Sequence, residues 1–277
     1  MENKLIFLDI DGTLTVPGKL APPESAQNAI REARARGHKV FLCTGRNYAM
    51  LKPVMVYGFD GAVASAGGYV LCNGQVLYDH PMSHEMRDRV INVLAEAGFF
   101  GVLETKNGAF GSEDALRLLR FSENTDSEAQ RWKQATADRL SFSLLDEYDG
   151  APVYKIMFIG ENQAELSKIE QELGTDFLVC RQNVFKKRDR IHGELINRAF
   201  DKGTGVKQIC SYLHVPLSDT VGFGDSMNDL AMLETVGTGV CMENGEDALK
   251  QISRMVCPAV EEDGLYRAFV QLGLIEG

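Results

Sequence analysis

Short apolar runs alternate with amphipathic stretches along most of the chain. Leu5-Ile-Phe-Leu8 is an apolar run of the length that fills a strand covered on both faces. Ala26, Ala29, Ile30 and Ala33 then recur at helical spacing, and Gly37 stops that helix. A strand over 39–43 and a helix near 47–56, disturbed by Pro53, come next. A strand over 61–65 leads through Ala66-Gly67-Gly68, read as a tight turn, into a hairpin over 69–78 that turns at Asn73-Gly74. From Pro81 onward the pattern predicts a helix over 84–97, a strand over 99–105, and a polar stretch with a helix around Trp132. A strand over 153–159, a helix over 161–173 and a strand over 176–180 complete this part. The chain returns to the earlier pattern near 190–197. Strands over 220–223, 237–241 and 254–257 then alternate with helices, the last over 264–273.

Alternation of this kind argues for an α/β fold with a doubly wound, Rossmann-like parallel sheet. The sheet domain is expected from residues 1–82 and 192–277, with 83–191 inserted as a smaller α+β domain. Ligand chemistry on such sheets gathers at the carboxyl ends of the strands, and the polar residues there carry the functional signal.

The first strand runs into Asp9-Ile-Asp11-Gly12-Thr13. Were the strand to continue, Asp9 and Asp11 would point to one side. Two close carboxylates repel and call for a cation or a shared proton. Mg²⁺ suits an all-oxygen set, although Asp-Gly is also an ordinary turn pair. A second acidic group, Asp225-Ser-Met-Asn228-Asp229, follows a strand ending in Gly224. On a helical turn Asp225, Asn228 and Asp229 share one face, while Asp225 could instead cap the helix. Thr44-Gly45-Arg46 closes the 39–43 strand with a hydroxyl and free N–H groups, either an oxyanion site or a plain cap. Lys202-Gly203 opens a helix, where a cation opposes the macrodipole. Such a lysine is offset by a bound anion or simply solvated.

Taken in order, Asp9-x-Asp11-Gly-Thr, Thr44-Gly-Arg46, Lys202-Gly and Gly224-Asp225-x-x-Asn228-Asp229 resemble the haloacid dehalogenase-like hydrolase superfamily, and more narrowly the Cof-type phosphatases. The resemblance implies that the insert is an α/β cap domain. It implies a Mg²⁺-dependent phosphoric monoester hydrolase working through an aspartyl-phosphate. Asp9 would be the nucleophile and a metal ligand. Asp11 would be the general acid and base, with its carbonyl on the metal, and Asp225 a further ligand. Thr44, Gly45, Lys202 and Asn228, with backbone N–H groups around Gly12, would hold the phosphoryl oxygens, and Asp229 would support the metal shell. The implied substrate is a small phosphorylated metabolite such as a sugar phosphate. A hexose phosphomutase of phosphomannomutase type and a non-catalytic phosphometabolite sensor are the alternatives.

Composition narrows the partners. The formal net charge of −10 over 277 residues argues against nucleic acid or an anionic membrane as the main partner. The chain shows no apolar run of about 18 residues and no basic-then-apolar leader. Its six cysteines are scattered without a C-x-x-C, so reduced thiols and a cytoplasmic location are expected. No protein partner is legible. Residues 181–190 hold five cations and one acid. Lys186, Lys187 and Arg188 either blunt a strand edge or, with Arg46, tune specificity toward substrates bearing several anionic groups.

Overall fold

The computed structural model describes residues 3–19, 21–120, 142–161, 163–182 and 191–277. The helix expected around Trp132 and the cations Lys186, Lys187 and Arg188 lie outside these described residues. All four side chains of β1 (Leu5–Leu8) are buried, as an uninterrupted apolar run requires when both faces of a strand are covered. Helix α1 (Glu24–Ala35) buries Ala26, Ala29, Ile30 and Ala33 on one stripe. Strands β2 (Lys39–Cys43) and β3 (Gly61–Ala64) extend the sheet in parallel, with Leu5 opposite Lys39 and Phe41 opposite Gly61. Between them the expected helix near 47–56 is a 3-10 turn, Tyr48–Leu51, followed by the one-turn α2 (Lys52–Met55). Pro53 explains the break, because proline is tolerated in a first turn but not inside a continuous helix. Strands β4 (Tyr69–Cys72) and β5 (Gln75–Asp79) form the hairpin, antiparallel to the rest, with Asn73 and Gly74 both at positive φ.

The insert builds a second sheet. Its elements are α3 (His84–Glu96), β6 (Phe99–Thr105), β7 (Gly108–Gly111), α4 (Glu113–Arg120), β8 (Phe142–Leu144), β9 (Val153–Gly160), α5 (Leu166–Leu173), β10 (Phe177–Gln182) and β11 (Ile191–Asn197). The strand order is β10-β11-β9-β6-β7-β8, antiparallel except for β7 with β8. Ser83 caps α3 by accepting from the Met86 N–H. Val90 and Leu94 of α3 and Ile169 and Leu173 of α5 cover Ile156, Phe158 and Phe177. Strand β9 also buries Lys155, which ion-pairs with Glu194 at 2.5 Å and Glu104 at 3.1 Å on the two neighbouring strands. Residues 191–197, where the sequence pattern suggests a return to the first domain, pair on both sides within this second sheet.

The chain then adds α6 (Lys202–Leu213), β12 (Thr220–Gly224), α7 (Leu230–Thr235), β13 (Thr238–Met242), α8 (Asp247–Ile252), β14 (Met255–Cys257) and α9 (Gly264–Gln271). The first sheet has the order β14-β13-β12-β1-β2-β3-β4-β5. Six strands from β14 to β3 are parallel, so the expected parallel sheet carries an antiparallel hairpin on one edge. Strand β1 lies between β12 and β2, where the winding reverses direction. Phe7 and Phe41 stack at 5.3 Å and pack with Val63, Val206, Ile209 and Met232 under α6. On the opposite face Phe223 meets Phe269 of α9, which packs on α1. Two compact units result: Met1–Arg46 with Leu51–Asp79 and Phe200–Gly277, and Asn47–Met50 with His80–Ala199. No helix among the described residues is long and apolar enough to cross a membrane.

Helix α6 can reach its place only because residue 203 has no side chain. A Cβ on Gly203 would lie 2.4 Å from the Ala231 carbonyl oxygen of α7. Gly203→Ala therefore forces α6 away from α7 and carries Lys202 with it. The expected cost is about 1–3 kcal/mol, read as a fall of roughly 2–12 °C in melting temperature by thermal denaturation. An unchanged melting temperature would show that the two helices separate freely.

Candidate active site at the strand ends

Parallel pairing brings the ends of β1, β2 and β12 to one edge of the first sheet, and every residue of this site belongs to the first unit. Asp9 follows β1 and is buried; its N–H donates to the Phe223 carbonyl at 3.0 Å, which sets it beside the end of β12. The strand does not continue to Asp11. The Ile10 carbonyl accepts from the N–H groups of Leu14 and Thr15 at 3.0 and 2.8 Å, so the chain folds into a tight turn. Gly12 supplies the left-handed step, at φ +89°.

That turn separates the two aspartates that strand alternation would have put side by side. Asp9, Asp225 and Asp229 each offer an oxygen within 4.8 Å of the others. The Asp11 carboxylate instead accepts from Arg46, Nε at 2.9 Å and Nη2 at 2.6 Å, a bidentate grip by a buried guanidinium. Arg46, an expected specificity residue, therefore lies in the turn's own bonding network.

Asp225, Asn228 and Asp229 do converge, but not through a regular helical face. Ser226 is the N-cap of a 3-10 turn, Met227–Asp229, that precedes α7. Asp229 reaches back, and its Oδ2 accepts from the N–H groups of Asp225 at 3.0 Å and Ser226 at 3.2 Å. Asp225 does not cap this turn; its carboxylate joins the cluster with Asp9 and Asp229. Its Oδ1 accepts from the Thr13 hydroxyl at 2.9 Å.

Lys202 ties the ends together. Asp201 caps α6 through a reciprocal box with Thr204, which fixes the first turn of the helix. From that turn the fully buried Lys202 Nζ donates to Asp9 at 2.7 Å, to Asn228 at 3.0 Å and to Asp229. Burial works against its charge, but Asp229 and Asp9 outweigh burial and hold its pKa above the ordinary lysine range. The carboxylates of Asp9 and Asp229 offset this helix-terminal cation.

Thr44 is buried at the end of β2, and its hydroxyl accepts from the Arg46 N–H at 3.2 Å, while Gly45 links the two. The Thr44 carbonyl accepts from Ala66 at 3.0 Å and the Arg46 carbonyl from Ser65 at 2.8 Å. Ser65 and Ala66 both have positive φ, so the turn after β3 is shaped to brace this segment. Sequence reasoning missed Thr13 and Asn244 as parts of the site. Thr13 sits inside the Asp-Gly-Thr motif and was legible. Asn244, whose Nδ2 donates to the Gly12 carbonyl at 2.9 Å, gives no sequence signal because its partner lies at the other end of the chain.

The electrostatics of the cluster are those of carboxylates short of positive charge. Burial pushes Asp9 up to about 7; Lys202 opposes the shift, and Asp229 and Asp11 add to it. Burial, then Asp9 and Asp229, push Asp225 well above the usual carboxylate range. An oxygen-only set of three aspartates with excess negative charge fits a hard divalent cation such as Mg²⁺.

A family model described as haloacid dehalogenase-like hydrolase matches residues 6–269. The Bacillus subtilis protein YkrA is 28% identical over 280 residues, covering 100% of both chains. The pyridoxal phosphate phosphatase YbhA of Escherichia coli is 26% identical over 269 residues, covering 92% of this chain and 93% of its own. A solved structure from Geobacillus kaustophilus superposes with a TM-score of 0.81 at 24% identity, covering 99% of this chain and 100% of that one.

The raised Asp9 sets a pH dependence. An acid with a pKa of about 7 when folded, against 3.8 in the free side chain, stays protonated in the folded state while the unfolded chain ionises. Its contribution to stability therefore falls as pH rises between those values. In chelator, the wild-type melting temperature is expected to fall several degrees more between pH 5 and pH 7.5 than that of Asp9→Asn. Parallel pH profiles for the two proteins would contradict the assignment.

Proposed function

Because the chain belongs to the haloacid dehalogenase-like hydrolases and is an enzyme of their phosphatase class, we propose that it hydrolyses small phosphate monoesters with Mg²⁺ through a phosphorylated Asp9. The observation that carries this reading is the buried Lys202 bound to Asp9 and Asp229, with Asp225 in the same acidic cluster. One fixed cation beside a buried carboxylate is what a nucleophile needs in order to approach a phosphoryl dianion without prohibitive repulsion.

Asp9 attacks phosphorus; the new Asp9–phosphorus bond forms as the ester bond breaks. Asp11 gives its proton to the departing alkoxide. It then takes a proton from water, which attacks the aspartyl-phosphate, releases inorganic phosphate and restores the Asp9 carboxylate. Arg46 orients Asp11, and one Asp11 oxygen must leave Arg46 for each proton transfer. Lys202 and Thr44, with Gly45 and the N–H groups around Gly12, hold the phosphoryl oxygens, and Asn228 and Asp229 keep Lys202 in line. Asp9, Asp225 and Asp229 would hold Mg²⁺, with the Asp11 carbonyl; when bound, the ion supplies charge stabilisation to the transferring phosphoryl group.

The relative named for pyridoxal phosphate supports a small phosphorylated metabolite as substrate. We assign substrate selectivity to the inserted unit, His80–Ala199. All six cysteines are free, which supports a reducing, cytoplasmic setting.

With p-nitrophenyl phosphate and Mg²⁺ the protein is expected to release inorganic phosphate. Asp9→Asn should lower kcat at least about 1,000-fold, and exhaustive EDTA treatment should stop turnover. Near-native rates from repurified Asp9→Asn, or full activity without metal, would falsify the proposal. Formation of an isomeric sugar phosphate in place of free phosphate would move the reading to a mutase.

A further inference from the structure

Loop 243–246 leaves the carboxyl end of β13 and fastens both halves of the acidic cluster from outside. Asn244 Nδ2 donates to the Gly12 carbonyl at 2.9 Å. The Glu246 N–H donates to the Asp225 carbonyl at 2.9 Å, and Glu246 Oε1 accepts from the Met227 N–H at 3.0 Å. The loop is itself anchored: the Glu243 N–H donates to Cys257 at 2.8 Å and the Gly245 N–H to Met242 at 2.9 Å. It runs so close that a Cβ on Gly245 would lie 2.8 Å from the Asp225 carbonyl oxygen.

The three carboxylates of the cluster are not equally restrained. Asp9 is held by Lys202, and Asp229 by Lys202 and two backbone N–H groups. Among the described residues, the hydrogen bond to the Asp225 carboxylate comes from the Thr13 hydroxyl. Thr13 is positioned by the Gly12–Thr13 peptide, and the carbonyl of that peptide is the group that Asn244 holds. Gly12 is in the left-handed region, where a free peptide can turn more widely than at any other residue type.

We infer that Asn244 is a positioning residue for divalent-cation binding: it fixes the Gly12 carbonyl, hence the Thr13 hydroxyl, hence the Asp225 carboxylate facing Asp9 and Asp229. The inference rests on the cation site named under Proposed function. Partners of this kind, one bond removed from a ligand, typically change metal affinity about 10–100-fold when lost. An exposed asparagine making a single bond belongs at the lower end of that range.

The test is Mg²⁺ binding to the intact protein by isothermal titration calorimetry, without substrate. Asn244→Ala should raise Kd about tenfold, and Thr13→Val should act in the same direction. Because both act through Asp225, the double variant should bind little worse than the weaker single one. Glu243→Gln, a change in the same loop away from these contacts, should bind as wild type does. Melting in EDTA should be unchanged for Asn244→Ala to within about 2 °C. Asp225→Asn separates the two levels of the argument. If it weakens binding while Asn244→Ala does not, or if the Asn244 and Thr13 effects multiply, the inference is overturned and the cation site stands. A fall in EDTA stability with unchanged Kd also overturns it, marking a purely structural contact. If Asp225→Asn itself binds Mg²⁺ normally, the cation site fails and the inference with it.

Discussion

Three carboxylates that converge at the end of a buried sheet have to be held against one another, and Lys202 is the group that does so. Asp9, Asp225 and Asp229 bring oxygens within 4.8 Å in surroundings that desolvate them. At such separations the repulsion in a poorly polarisable interior is severe. Removing one partner from a buried charged group is correspondingly expensive. Lys202 meets two of the three carboxylates directly and the Asn228 amide oxygen besides. Much of the first unit serves its placement. Asp201 fixes the first turn of α6, Gly203 lets that turn lie on α7, and Gly205 lets it lie on Val63 of β3.

The same constraint explains how the chain divides its acids. Asp11 is two residues from Asp9 yet does not join the cluster, because the turn at Ile10 and Gly12 carries it to Arg46. One aspartate of the pair is left short of positive charge and the other has a full guanidinium to itself. In the reaction we propose, this separates the two jobs: Asp9 as nucleophile beside a fixed cation, and Asp11 as proton carrier steered by a partner of its own. Asp229 likewise does two things at once. It caps the turn before α7 with one oxygen and receives Lys202 with the other. The cap and the cluster therefore cannot be changed independently.

The second unit follows different rules. Its sheet is antiparallel apart from one pair, and its core is built from the faces of α3 and α5. Among the described residues, it buries Lys155 with Glu104 and Glu194, paired across three adjacent strands. A buried charge of this sort is tolerated only when matched, and nothing in an apolar strand pattern announces the match.

By itself the sequence determined the class of fold, the order of most elements and the acids that stand at the strand ends. Apolar runs such as Leu5–Leu8 can only be strands covered on both faces, the stripe on Glu24–Ala35 can only be one side of a helix, and the acids at the ends of such runs must lie at a strand edge. What it could not determine was which acids meet. Period-two alternation put Asp9 and Asp11 together, and helical spacing put Asp225, Asn228 and Asp229 on one face. In the folded chain a turn removed Asp11, and a cap, not a helical face, aimed Asp229. The partners that hold the site together, Lys202 with Asp9, Arg46 with Asp11 and Asn244 with Gly12, are contacts between segments far apart in the chain. Local periodicity fixes only where a side chain points relative to its own element. Which charge it meets depends on how the elements pack, and that was decided by the tertiary structure alone.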